Sequence, residues 1–72
     1  MRVAESAHKH NVSDEDIHHA IRNAIKLARQ DDEFMMIIGP AQDGTFLEIG
    51  VLYHSTPDEI VIHAMNCRPT YL

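Results

Sequence analysis

Among the side chains able to move a proton or hold a phosphate, one combination places His63, Arg68 and Tyr71 at one end of the chain and Lys9 and His10 at the other. Together they suit RNA cleavage. An imidazole can relay the proton of a 2′-hydroxyl, a guanidinium can stabilise the charge of the phosphorane, and a phenol can stack on a base or act as a weak acid. A competing reading makes His63 a cross-strand packing residue, Arg68 a surface cation and Tyr71 a lid over the edge of the core. The histidine excess, six in all, also raises metal binding. His8 and His10 are two apart, and His18 and His19 are adjacent. Neither pair has the three- or four-residue spacing that ligands on one helix face need, so only a site assembled from distant histidines stays open. Cys67 follows His63 by four residues, but nothing in the sequence fixes their geometry, and a lone thiol reads first as a packing residue. Gly39 and Gly44 flank a turn and need no phosphate to explain them. Glu33, Glu48 and Glu59 could approach one another across a sheet, which gives a charge pattern rather than a catalytic pair.

Composition bounds what these residues can belong to. The chain has 72 residues and a formal charge of −5. One domain fits, and it buries only about 60% of the surface of its unfolded form, so a dimer or a covering partner is a natural expectation. A single cysteine excludes an internal disulfide framework and multi-cysteine zinc sites, and makes a reducing, cytoplasmic home the default. No apolar run approaches the ~20 residues of a membrane span. Met1 to Glu5 lacks the apolar stretch of a signal peptide. The charge is uneven. Residues 1–30 carry five cations against four carboxylates, and residues 31–72 carry Arg68 alone against seven. The net values are +1 and −6. Nucleic acid or an acidic partner would therefore favour the first half.

The elements that must position these residues follow from hydropathy patterning. Residues 2–10 suggest a short first helix stopped at Asn11, a residue that tolerates the left-handed conformation. Ser13 before Asp14-Glu15-Asp16 has the chemistry of a helix start. Ile17, Ala20, Ile21, Ala24, Ile25 and Ala28 then recur with helical period, which predicts an amphipathic helix over about residues 14–29. The period changes after residue 30. Phe34 to Ile38 reads as a strand, Pro40 to Gly44 as a hairpin loop, Thr45 to Tyr53 as a second strand and Glu59 to Met65 as a third. In the third strand, strict alternation puts Ile60, Ile62 and Ala64 on one face and Val61 and His63 on the other. Pro69 ends regular pairing. The expected architecture is α+β: two N-terminal helices, then a three-stranded antiparallel meander onto which the second helix packs.

Lys9-His10-Asn11-Val12-Ser13, leading into an alanine-bearing helix, resembles the K-H-G-V-S opening of BrnT-type toxins of the RelE superfamily. Ile37-Ile38-Gly39, the Asp43-Gly44 turn and Leu47 to Val51 resemble that family's central hairpin, and Ile60 to Ala64 its last strand. The likeness covers about residues 8–68. The whole chain also resembles short actinobacterial proteins that end V-I-H-A-M-x-x-R-P-x-[FY]-L, here Val61 to Leu72. The sequence departs from the toxin pattern where Asp32-Glu33-Phe34-Met35 stands in place of an arginine at the first strand. The family's strand-end arginine aligns with Met65 and reaches Arg68 only with a shift. The resemblance implies a minimal RelE/BrnT-like domain acting as an endoribonuclease toxin, neutralised by a cognate antitoxin. It needs no cofactor or metal, and its working residues would be His10, His63, Arg68 and Tyr71, with Lys9 on the phosphates. The alternative expectation is a non-catalytic interaction module of the same fold, homodimeric.

Overall fold

A computed structural model describes residues 1–72. Its centre is the hairpin of β3 (Phe34–Pro40) and β4 (Phe46–Leu52), paired in register from Phe34 with Leu52 to Pro40 with Phe46. The turn chemistry at its tip is local. The Asp43 carboxylate accepts the Thr45 N–H at 2.9 Å, and Gly44 takes φ +90°, where a side chain would strain the backbone. On the far side of β4 lies β5 (Ile60–Asn66), and outside β3 lies β2 (Lys26–Arg29). The two-residue β1 (Arg2–Val3) adds in parallel to β5, which makes a mixed five-stranded sheet of order β1-β5-β4-β3-β2.

One face of the sheet is covered by α1 (Asp14–Arg22). The Ser13 hydroxyl accepts the Asp16 N–H at 3.1 Å, as the sequence indicates for a helix start. Ile17 and Ala20 are fully buried with Ile37, Leu47, Ile49, Val51, Val61 and Ala64, and this set is the main core. The helix sits so close to β3 that a Cβ on Gly39 would lie 2.0 Å from the Ala20 carbonyl oxygen. Two polar ties fix its ends. The Asp16 carboxylate accepts the backbone and side-chain N–H groups of Gln42, which hold its pKa below the usual value, and His19 Nδ1–H donates to the Pro40 carbonyl at 2.8 Å.

Three expectations are corrected. No helix spans residues 2–10. Arg2 and Ala4 donate to the Glu59 and Val61 carbonyls, because the open edge of β5 supplies backbone acceptors that a helix would leave unpaired, and only a 3-10 turn remains at Glu5–His8. The amphipathic helix stops at Arg22 rather than running to residue 29. The Asn23 side chain caps the His19 carbonyl, and the chain then pairs as β2 along β3, where edge pairing overrides helix periodicity and leaves Ile25 exposed. The sheet therefore has five strands, not three, with one α-helix rather than two. A β-bulge supplies a fourth difference. Gly50 pairs with His63 but Val51 with Val61, so Ile62 is an extra residue, and Val61 and Ala64 face the core in place of Ile62.

The close approach at Gly39 gives a direct test. Gly39→Ala should force α1 off the sheet and lower the free energy of unfolding by about 2 kcal/mol or more, measured by urea titration. The same substitution at Gly50, where the neighbouring atoms belong to the Phe34 and His63 side chains, should cost less.

Candidate functional site

The second face of the sheet is organised around one carboxylate. Glu48 lies mid-strand in β4, between Ile38 of β3 and Met65 of β5, and is 0% exposed. A charge buried there requires partners. The chain supplies them by turning back after β5. Cys67 N–H donates to the Phe46 carbonyl, and Arg68 follows in extended conformation. Pro69 then opens a 3-10 turn to Tyr71. This places the Arg68 backbone N–H and Nε each 2.9 Å from Glu48 Oε1, and Nη2 2.7 Å from Oε2, a forked guanidinium–carboxylate pair. His63 Nε2 lies 2.9 Å from the same Oε2; facing a carboxylate, this nitrogen carries the hydrogen and leaves Nδ1 as the acceptor.

Around this centre the remaining groups gather. The Arg68 guanidinium lies 5.6 Å over the Tyr71 ring, and Lys26 Nζ donates to the Tyr71 carbonyl at 3.2 Å, so the tail spans from β5 to β2. The His10 ring stands edge-on to that of His63, with centroids 6.1 Å apart. His10 is placed by the turn that Asn11 makes at φ 63°. The four residues singled out from sequence, His10, His63, Arg68 and Tyr71, thus share one locality. Lys9 is exposed beside His10, and its side chain makes no hydrogen bond or ion pair. Glu48 was not among the expected site residues. Its signal in the sequence is a lone carboxylate inside Phe46-Leu47-Glu48-Ile49-Gly50-Val51-Leu52, apolar on both sides.

Electrostatics favour full ionisation of the pair. Burial by itself would raise the Glu48 pKa, but the Arg68 guanidinium and backbone N–H, with His63, outweigh it and hold the carboxyl at about 2. The hydrogen bonds and charge of Glu48 push Arg68 upward in turn. Burial and the nearby Glu48 raise the Cys67 thiol, and its S–H points to the Arg68 carbonyl, so Cys67 and His63 do not form a nucleophile–base pair.

The other histidines serve elsewhere. His8 pairs with Asp14 at 2.5 Å, and His54 with Glu59 at 2.6 Å, so the three glutamates considered from sequence do not converge. No three His, Cys, Asp or Glu side chains come together with metal-site geometry. The His54–Glu59 pair braces the β4–β5 turn, in which Tyr53 and Ser55 hold left-handed φ of 55° and 67°. No helix is long and apolar enough to cross a membrane. Comparison with protein-family models, curated proteins and solved structures finds no match to this chain.

Two outcomes follow for stability. The folded-state pKa of Glu48 is depressed, so its contribution is complete above the ordinary value of 4.5 and is lost as pH falls through about 2. Urea titrations across that window should show a loss on the order of 3 kcal/mol in the native chain, and little of that slope in Glu48→Gln. At neutral pH, Arg68→Ala strands a buried carboxylate and should cost about 3–5 kcal/mol, whereas Glu48→Leu combined with Arg68→Met should recover most of that loss.

Proposed function

We propose that the chain is a toxin-like RNA-cleaving protein of the cytoplasm, neutralised by a cognate antitoxin, with its working face at His10, His63, Arg68 and Tyr71. The observation that carries this reading is the convergence of these four residues, from two ends of the chain, around one buried carboxylate. The sequence resemblance to BrnT-type toxins supplies the reaction class.

In this reading each group has a role. Glu48 fixes His63 so that Nδ1 is free to take the proton of a ribose 2′-hydroxyl. The 2′-oxygen attacks the adjacent phosphorus, and the P–O5′ bond breaks. Protonated His10, beside His63, donates to the departing O5′. The products are a 2′,3′-cyclic phosphate and a 5′-hydroxyl, with no further reactant. The guanidinium of Arg68 is half-exposed, and Nη1 makes no bond to Glu48, so it can hold the charge of the phosphorane. Tyr71 offers a ring for base stacking, and Lys9 a cation for a neighbouring phosphate.

One observation favours a second reading, a non-catalytic, homodimeric interaction module. Arg68 is the sole cation of residues 31–72, and Glu48 neutralises it. The two readings separate in one assay. Purified protein with end-labelled single-stranded RNA at low salt should release fragments ending in a 2′,3′-cyclic phosphate. His63→Gln and His10→Gln should each slow cleavage by about 100-fold or more while circular dichroism stays native. Tyr71→Ala should weaken RNA binding more than the cleavage step. No cleavage and no salt-sensitive binding by the native chain would leave the interaction module as the reading.

A further inference from the structure

We infer that the β2 edge is a docking strand for an extended, acidic segment of a second protein, which would add to the sheet as a sixth strand. This surface borders the His63 face at Lys26, whose Nζ reaches the Tyr71 carbonyl, but its open backbone at Leu27 and Arg29 lies on the outer edge, and the inference stands whether or not that face cleaves RNA. Three observations converge on it. The first is open backbone. Gln30 N–H donates inward to the Phe34 carbonyl, and the register pairs Ala28 with Met36 and Lys26 with Ile38. Antiparallel alternation then turns the N–H and C=O groups of Leu27 and Arg29 outward, where no strand receives them.

The second observation is apolar surface. Ile25 is 61% exposed and Leu27 55% exposed, two bare aliphatic side chains along one edge. Ile25 belongs to the stripe that mimics a helix face in the sequence, of which only Ile17 and Ala20 are fully buried. The third is charge. Residues 17–30 contain Arg22, Lys26 and Arg29 and no carboxylate, in a chain of net −5. None of the three cations forms an ion pair: Lys26 reaches the Tyr71 carbonyl, and Arg29 the Asp32 carbonyl.

These features select the occupant. A second copy pairing through β2 would set the same three cations against themselves. An RNA strand could meet the cations but would leave the Leu27 backbone groups and the two aliphatic side chains unmatched. An extended protein segment meets all three demands when apolar side chains alternate with carboxylates. The acidic loop Asp31-Asp32-Glu33 follows β2 after Gln30, so the carboxylates of the segment belong toward the Arg22–Lys26 end.

The test uses the full chain and short fluorescein-labelled peptides that alternate valine with either glutamate or lysine. The glutamate peptide should bind saturably and about tenfold more tightly than the lysine peptide at low salt. It should also slow hydrogen exchange at the Leu27 and Arg29 amides. Arg22→Glu combined with Arg29→Glu, neither of which touches the His63 face, should reverse the preference. Equal binding of the two peptides, or none, would overturn the inference. So would concentration-dependent dimerisation that protects the same amides without peptide, or protection of those amides by an oligoribonucleotide alone.

Discussion

The second face of this small sheet depends on the ionisation of Glu48. A carboxylate with no exposed surface, set between Ile38 and Met65, is tolerable only because Arg68 approaches with a forked guanidinium and a backbone N–H while His63 closes the remaining lone pair. The turn after β5 and the Pro69–Tyr71 turn follow from that requirement, because both bring Arg68 back across β4. The interaction therefore shapes both the packing of this face and the candidate site. It fastens the C-terminal residues to the sheet and, by the same bonds, orients an imidazole and a guanidinium side by side.

The two faces are stabilised in different ways. On the α1 side the core is apolar, close-packed and intolerant of one added methyl at Gly39. On the other side, Met36 and Ile38 are buried beside a charged cluster. A chain of 72 residues has little apolar surface to cover both faces of a sheet, and the turned-back tail provides part of the second cover. Loss of Arg68 would thus damage folding and site together, so the roles of His10, His63 and Tyr71 are the cleaner indicators of chemistry.

The three long strands and the start of α1 were legible from alternation and from Ser13, because those signals arise from local geometry. The end of α1 was not. Ala24, Ile25 and Ala28 continue the helical period, yet the chain leaves the helix at Asn23, since the edge of β3 offers backbone pairing that no local pattern encodes. The bulge at Ile62 was hidden for a related reason: an inserted residue reverses the facing of a strand without changing its composition. The short parallel strand β1 lacked a signal of its own and depends on β5 far along the chain. At the site, His10, His63, Arg68 and Tyr71 were visible as chemistry-bearing types. Glu48 reads in the sequence as part of a surface charge pattern because a single acid in an alternating strand ordinarily faces water, and only a second covered face makes it buried.

Glu48 is the ionised centre of the second face, and its carboxyl resonance reports on that ionisation directly. Its ¹³C chemical shift, followed by NMR as the folded chain is acidified, should titrate with a midpoint of about 2. The His63 Nε2 proton should remain observable and shift with it. A midpoint at the ordinary value of 4.5, with His63 Nε2 exchanging freely, would contradict the account.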